Sequence, residues 1–137
     1  MTIDTSPGRP GPPAAQEDEA LTLAISAAIV ALYTTVYGHD RTTATTYIND
    51  NIVVCVLENI LTDDEDSLIS DGSGGEVIDG RVAFQTDTED EFTAVVERLT
   101  HRRVVAFLSA NQTTPGVACE LFFLDAAPLA EKAMAGV

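Results

Sequence analysis

Arg98, His101, Arg102 and Arg103 form the densest basic cluster of this chain, packed into six consecutive positions. Such a group can bind an anion such as bicarbonate, or meet an acidic partner. It can equally cap the negative carboxyl end of a helix that closes at this point, where cations are favoured. His39 beside Asp40 has the residue types of an acid–base dyad. Adjacent side chains rarely converge on one proton, so the pair reads as an exposed corner between a helix and a strand. Arg81 is an isolated base suited to pairing with Glu65 or neighbouring carboxylates and so fixing the middle of the fold. Asp63, Asp64, Glu65 and Asp66 could collect sodium or calcium, but they lack the alternating spacing and turn glycine of a calcium loop and read as a solvated helix start.

Other routes to chemistry are not signalled. The serines stand outside any Gly-x-Ser-x-Gly elbow, and no phosphate loop or dinucleotide fingerprint occurs. Gly72-Ser73-Gly74-Gly75 is rich in glycine but follows a polar segment rather than a strand, which makes it a linker. Cys55 and Cys119 lie in apolar, strand-like runs, and with His39 and His101 they lack zinc spacing. They read as thiols packed like small hydrophobes, and a disulfide between them requires Cα atoms within about 7 Å. These features predict no metal, no cofactor and no enzymatic activity.

Two long helical patterns and two strand pairs must position these residues. Residues 1–16, with six proline and glycine positions from Pro7 to Pro13, predict a disordered tail. From Glu17, with Glu17, Asp18 and Glu19 at its positive end, a helix is expected to run to Tyr37 and stop at Gly38. Its apolar stripe is Leu21, Ile25, Ile29, Leu32 and Val36, and its other side is small and hydroxylic. No charge occurs between Ala20 and Gly38, nearly the length of a membrane span, but the hydroxyl side chains and the absence of basic flanks favour a helix buried on most sides. Its small face suits close approach of another helix, within the fold or from a second subunit, so a homodimer through this helix is expected.

Thr43–Ile48 and Asn51–Leu57 read as a hairpin about Asn49-Asp50. Ile52–Leu57 is apolar on both parities, which implies cover on both faces or closure of one face by an oligomer contact. Thr62 and Glu65 have capping-box spacing and start a short helix, followed by a flexible loop over residues 71–75. A second long helix is expected from Val77, with Gly80 and Thr86–Thr88 as weak points. Arg102–Ala110 and Val117–Leu124 form a second strand pair around Pro115, and the chain from Ala126 is expected to be a tail or short helix. Helix, hairpin, helix, hairpin predicts one α+β domain over residues 17–125: a four-stranded, largely antiparallel sheet packed against two long helices.

Composition bounds the function. The 137 residues are 45% hydrophobic, enough for one core. Against 22 acids stand 7 bases, for a formal net charge of -15. That balance works against nonspecific nucleic-acid binding, which needs clustered Lys and Arg, and against direct adhesion to anionic lipid. It is expected of a halophilic protein, whose salt-rich cytoplasm screens self-repulsion. The polar, proline-rich start shows no secretory signal, so a cytoplasmic location is expected.

Several marks, in order, carry a resemblance: Gly38-His39-Asp40-Arg41, Leu61-Thr62-Asp63-Asp64-Glu65, Arg81 with Phe84-Gln85, Val96-Glu97-Arg98-Leu99-Thr100, and a final Phe122-Phe123-Leu124. From Leu21 to Leu124 the chain resembles the MpsC-like family. Two departures stand out. His39-Asp40-Arg41 lacks the second glycine and the proline of the family corner, and His101 replaces a glycine that takes a left-handed cap more easily. The resemblance marks Gly38, Arg41, Thr62, Glu65 and Arg81 as structural positions. It implies a non-enzymatic, cytoplasmic accessory subunit of a sodium-linked, membrane-potential-generating or inorganic-carbon transport system. Such a subunit would attach peripherally to the membrane by docking to a transporter subunit, with Arg98, Arg102 and Arg103 as contacts and no insertion of its own. A free-standing oligomeric regulatory or ligand-binding module is the alternative, and an enzyme with a site invisible in sequence is the third class.

Overall fold

The computed structural model describes the backbone of residues 13–128 and the side chains of residues 18–126. The chain is α+β: α1 (Pro13–Tyr37), β1 (Thr43–Asn49), β2 (Ile52–Glu58), α2 (Asp63–Ser70), α3 (Gly74–Thr100), β3 (Arg102–Thr113) and β4 (Gly116–Pro128). The strands form one antiparallel sheet in the order β1-β2-β4-β3. α1 lies over β1 and α3 over β3, the two helices touch, and short α2 leans on α3.

The core fills the space between this helix layer and one sheet face. Ile25, Ile29 and Tyr33 of α1 meet Phe84, Phe92 and Val96 of α3 above Val53, Cys55 and Leu57 of β2 and Phe122 and Leu124 of β4. Each large apolar side chain fully buried here contributes on the order of 1.5–3 kcal/mol. Tyr33, Tyr37, Phe84 and Phe92 also meet edge-on or tilted, with centroids 5.0–6.2 Å apart.

Several sequence expectations are corrected. α1 starts at Pro13, four residues before Glu17, because proline in a first helical turn lacks only an N–H that has no intrahelical acceptor. The rest of the expected tail, residues 1–12, lies outside the described residues. α1 is not buried on most sides. Its inward face runs Ile25, Ile29, Tyr33, while Val36, expected in the stripe, is 55% exposed and Leu23 is 64% exposed. The inward face follows a four-residue step to Tyr33 and half-buried Tyr37, both of which find polar partners. α3 absorbs Gly74 and Gly75 from the expected loop and passes through Gly80 and Thr86–Thr88 unbroken. Burial of Val77, Arg81, Phe84, Gln85, Thr88, Phe92 and Val96 along one side outweighs the weak local propensity. Ala126 does not start a helix: β4 continues to Pro128, which pairs with Arg102, and residues 129–137 are outside the described part.

Among the described residues, no element covers the second sheet face. Of the four rows that cross all four strands on this face, one, Thr43–Glu58–Val117–Gln112, holds Glu58, and the other three are Asn49–Ile52–Phe123–Ala106, Tyr47–Val54–Leu121–Leu108 and Thr45–Val56–Cys119–Ala110. None of the twelve residues in these last three rows is charged. Cys55 faces the core and Cys119 this outer face, so the two thiols are free on opposite sides of neighbouring strands. Burial pushes the Cys55 thiol up to about 11.

Two connections depend on left-handed backbone. Gly38, at φ 76°, ends α1 by donating its N–H to Thr34 O at 2.8 Å. His101, at φ 57° and ψ 34°, takes the same conformation after α3 and donates its N–H to Glu97 O at 2.9 Å. A side chain at such a position costs roughly 1 kcal/mol, so histidine here carries strain that glycine would not. A Cβ at Gly38 would meet nothing within 4 Å, leaving only the backbone cost. In urea unfolding, Gly38→Ala should therefore destabilise by about 1 kcal/mol and His101→Gly should stabilise by a similar amount.

Candidate functional site

The link between β2 and α2, Asn59 to Thr62, runs through the middle of the molecule with Ile60 and Leu61 buried. It belongs to neither a helix nor a strand, so its backbone polar groups need partners from elsewhere. Successive carbonyls are met by successive side chains. Thr42 Oγ1 donates to Asn59 O at 3.2 Å. His39 Nε2 lies 3.2 Å from Ile60 O, and His39 Nδ1 accepts the Arg41 backbone N–H at 3.2 Å. The Nδ1 acceptor role puts the imidazole proton on Nε2, which then donates to Ile60 O. Arg41 Nη2 donates to Leu61 O at 3.0 Å, while Nη1 reaches Asp63 on the surface at 3.0 Å. That surface pair is worth little, since both side chains are well exposed.

Arg81 closes the site from α3. Its side chain is 1% exposed, and Nη2 donates to Ile60 O and, at 2.5 Å, to Glu65 Oε1, while Nε donates to Glu65 Oε2 at 2.8 Å. The fork grips both carboxylate oxygens, the geometry in which arginine–carboxylate pairs are strongest. Nη1 has no hydrogen-bond partner among the described residues, and the guanidinium carbon sits 3.5 Å from the Tyr37 ring centroid, within cation–π range. Glu65 Oε1 also accepts the Thr62 N–H at 2.9 Å, and Glu65 N–H returns to Thr62 Oγ1 at 3.1 Å, completing the capping box. Burial alone would raise the Glu65 carboxyl, but the hydrogen bonds from Arg81 and Thr62 and the guanidinium charge outweigh it and hold the group below the usual carboxylate range. Burial pushes the Tyr37 phenol up to about 12, against the pull of Arg81.

Arg41, Thr62, Glu65 and Arg81 thus meet at one four-residue link, while Gly38 ends α1 ahead of the corner that carries His39 and Arg41. A cleft of about 540 Å³ opens beside it, lined by Arg41, Leu61, Asp66 and the β3–β4 turn. Gly116 is required there, because a Cβ would fall 2.6 Å from Leu61 Cγ.

The basic cluster is divided by the fold. Arg102 is half-buried and staples the sheet end, donating from Nε to Asp125 O at 2.9 Å and from Nη1 to Asp50 O at 3.1 Å. Arg98, His101 and Arg103 remain exposed around the α3–β3 junction. Asp63, Asp64 and Asp66 are exposed in the first turn of α2. Among the described residues no group of three or more His, Cys, Asp or Glu is arranged to hold a metal ion.

Sequence reasoning missed a second centre. Glu120 of β4 is fully buried beneath the helix layer. Oε2 accepts from Tyr33 OH at 2.6 Å and from Gln85 Nε2 at 3.2 Å, and Oε1 accepts from Ser109 Oγ. Gln85 and Asn111 exchange reciprocal amide hydrogen bonds at 3.0 and 2.6 Å. These partners are all neutral. Burial dominates and raises the Glu120 carboxyl above its ordinary value, with the three hydrogen bonds pulling back, and burial next to Glu120 drives the Tyr33 phenol well above its usual range. The available signal was parity, since Glu120 shares the inward face with Ala118, Phe122 and Leu124 and is a lone charge among them.

Residues 17–126 match the family model of MpsC, described as the Na+-translocating membrane potential-generating system. No curated protein and no solved structure matches the chain.

Two outcomes follow from these centres. Arg81→Ala strips the buried Glu65 and Ile60 O of their shared donor and should cost about 3–5 kcal/mol in chemical denaturation; Arg81→Lys, which keeps charge but not the fork, should recover only part of it. The two carboxylates act with opposite sign on pH dependence. Glu65, with a lowered folded value, stabilises above the ordinary carboxylate range, and that contribution is lost as pH falls through its folded value. Glu120, with a raised folded value, is without penalty below its ordinary 4.5 and loses stability as pH rises through the folded value. Glu120→Gln should thus melt higher than the parent at alkaline pH, with the gap narrowing steadily towards pH 4 in a melting series; a constant gap would refute the assignment.

Proposed function

The chain belongs to the MpsC family, and from that premise we propose that it is a non-enzymatic accessory subunit of a sodium-translocating, membrane-potential-generating system, acting by docking from the cytoplasmic side to a membrane-embedded subunit. The observation that carries this reading is the outer face of α1. Leu23 is 64% exposed, Ala27, Ala31 and Thr35 follow it at four-residue spacing along the same exposed side, and no charge interrupts the helix from Ala20 to Gly38. The exposed side of α3, by contrast, carries Asp79, Asp87, Glu89, Asp90 and Glu91.

Small and apolar side chains on a charge-free helix face permit close approach of a second helix, as at the interfaces of membrane helices. Asp18–Tyr37 is long and apolar enough, by length and composition, to cross a membrane, with mean hydropathy 1.8. Here the same helix carries Ile25, Ile29 and Tyr33 into the protein core, and it offers its remaining side to a partner. The carboxylates of Glu65 and Glu120 support a non-catalytic role, because their oxygens are committed to internal donors. Exposed Arg98 and Arg103 supply positive charge for acidic segments of the partner, while Arg102 serves the sheet. The uncovered apolar sheet face favours the alternative, a free-standing oligomeric regulatory module.

Affinity capture of the tagged chain from its native cells, with membrane and soluble fractions separated, tests the proposal. The parent should bring down a multi-spanning sodium-translocating subunit from the membrane fraction, and Leu23→Glu/Ala31→Glu should lose it at least about tenfold while folding normally, since exposed substitutions change stability by only about 0.5 kcal/mol. Recovery of the chain alone, from the soluble fraction, would overturn the reading.

A further inference from the structure

We propose that the outer face of the sheet is the contact surface for a second copy of this chain, two sheets stacking about a two-fold axis that runs along the strands. An antiparallel sheet with one face in water normally alternates apolar and polar residues. Here the outward residues of β2 and of the part of β4 paired with it are apolar apart from Glu58, and three of the four outer rows shared by all strands hold no charged residue although the chain carries a net -15. The nearest acid on β2 is Glu58, at the end of the strand.

The geometry selects a second copy as the occupant. The middle row reads Tyr47–Val54–Leu121–Leu108 across β1, β2, β4 and β3. Its two ends are the large side chains left open on the edge strands, Tyr47 at 59% and Leu108 at 58% exposure, while the two inner residues are half-buried. An axis along the strands, passing between β2 and β4, lays Tyr47 of one copy on Leu108 of the other and Val54 on Leu121. Each contact is then made twice, as an isologous interface demands. Aligned sheets stack in this way about 10 Å apart.

Size and charge agree. Over the seven-residue span that β1 and β2 share with β3 and β4, the stacked sheets overlap by roughly 440 Å² in projection. With side-chain relief, that reaches the low end of specific interfaces, about 600 Å² per partner. Contact through the helix layer would instead bring the acidic sides of two α3 helices together. Stacking through the sheets keeps them on opposite outer sides of the dimer, separated by far more than the Debye length of about 8 Å. The two α1 faces stay free, so this assembly does not depend on the docking reading above.

Sedimentation velocity on the full chain, over a micromolar to sub-millimolar series, reads the outcome. The parent should sediment at twice the mass of one chain. Tyr47→Lys and Leu108→Lys, both at exposed positions that leave the core untouched, should each raise the dissociation constant at least about tenfold with the circular dichroism unchanged. Tyr47→Lys/Leu108→Glu should restore the dimer, because the new charges face each other only across copies. A parent that stays monomeric throughout the series overturns the proposal, and so does a dimer that neither single lysine weakens.

Discussion

The fold depends on satisfying the backbone of one short link. Asn59, Ile60 and Leu61 present consecutive carbonyls inside the molecule, where the chain leaves β2 and has not yet entered α2. A buried carbonyl without a donor costs about 1–3 kcal/mol, so the link can stay buried only if donors are brought to it. They come from three directions: the corner after α1 supplies His39 and Arg41, the start of β1 supplies Thr42, and α3 supplies Arg81. The link therefore fixes the end of α1, the entrance of α2 and the first turns of α3 relative to one another. Arg81 has the central place, since its one guanidinium holds Ile60 O, both oxygens of Glu65 and the face of Tyr37.

This requirement also explains how so acidic a protein uses its bases. Of the five arginines among the described residues, Arg41, Arg81 and Arg102 donate to backbone carbonyls. A guanidinium can bridge two or three acceptors in a fixed fork, which a lysine cannot do with one compact ammonium. The acids follow the opposite rule. Nine of the nineteen acids among the described residues stand in water on α2 and α3, where charge aids solubility, and Glu65 is held by Arg81. Glu120 is the exception, a buried carboxylate served by hydroxyl and amide donors alone, and it ties α1, α3, β3 and β4 together in one polar network. A network of this kind fixes how layers seat on one another more than it adds stability.

Two surfaces remain outside these constraints. The helix layer and the sheet close one core between them, and among the described residues each has an apolar side that nothing covers, the outer face of α1 and the outer face of the sheet. They point in opposite directions, so one can serve a membrane-bound partner while the other serves a second copy.

Several features were legible in the sequence by themselves, because they rest on local physics. Periodicity gave two long helices and two hairpins, the Thr62–Glu65 spacing gave a capping box, and the lone charge of Arg81 near Glu65 gave their pair. The apolar double parity of Ile52–Leu57 already required either a second cover or an oligomer contact. What local pattern could not supply was decided by tertiary packing. The unbroken passage of α3 through Gly80 comes from burial of its inward face, which outweighs propensity. The extension of β4 to Pro128 comes from the partner that Arg102 offers. The division of the basic cluster arises because carbonyls of Asp50 and Asp125 meet Arg102 only when β1, β2 and β4 lie side by side. Glu120 was hidden for the same reason: its partners are 11, 35 and 87 residues away, and nothing short of the folded chain places Ser109, Gln85 and Tyr33 around one carboxylate.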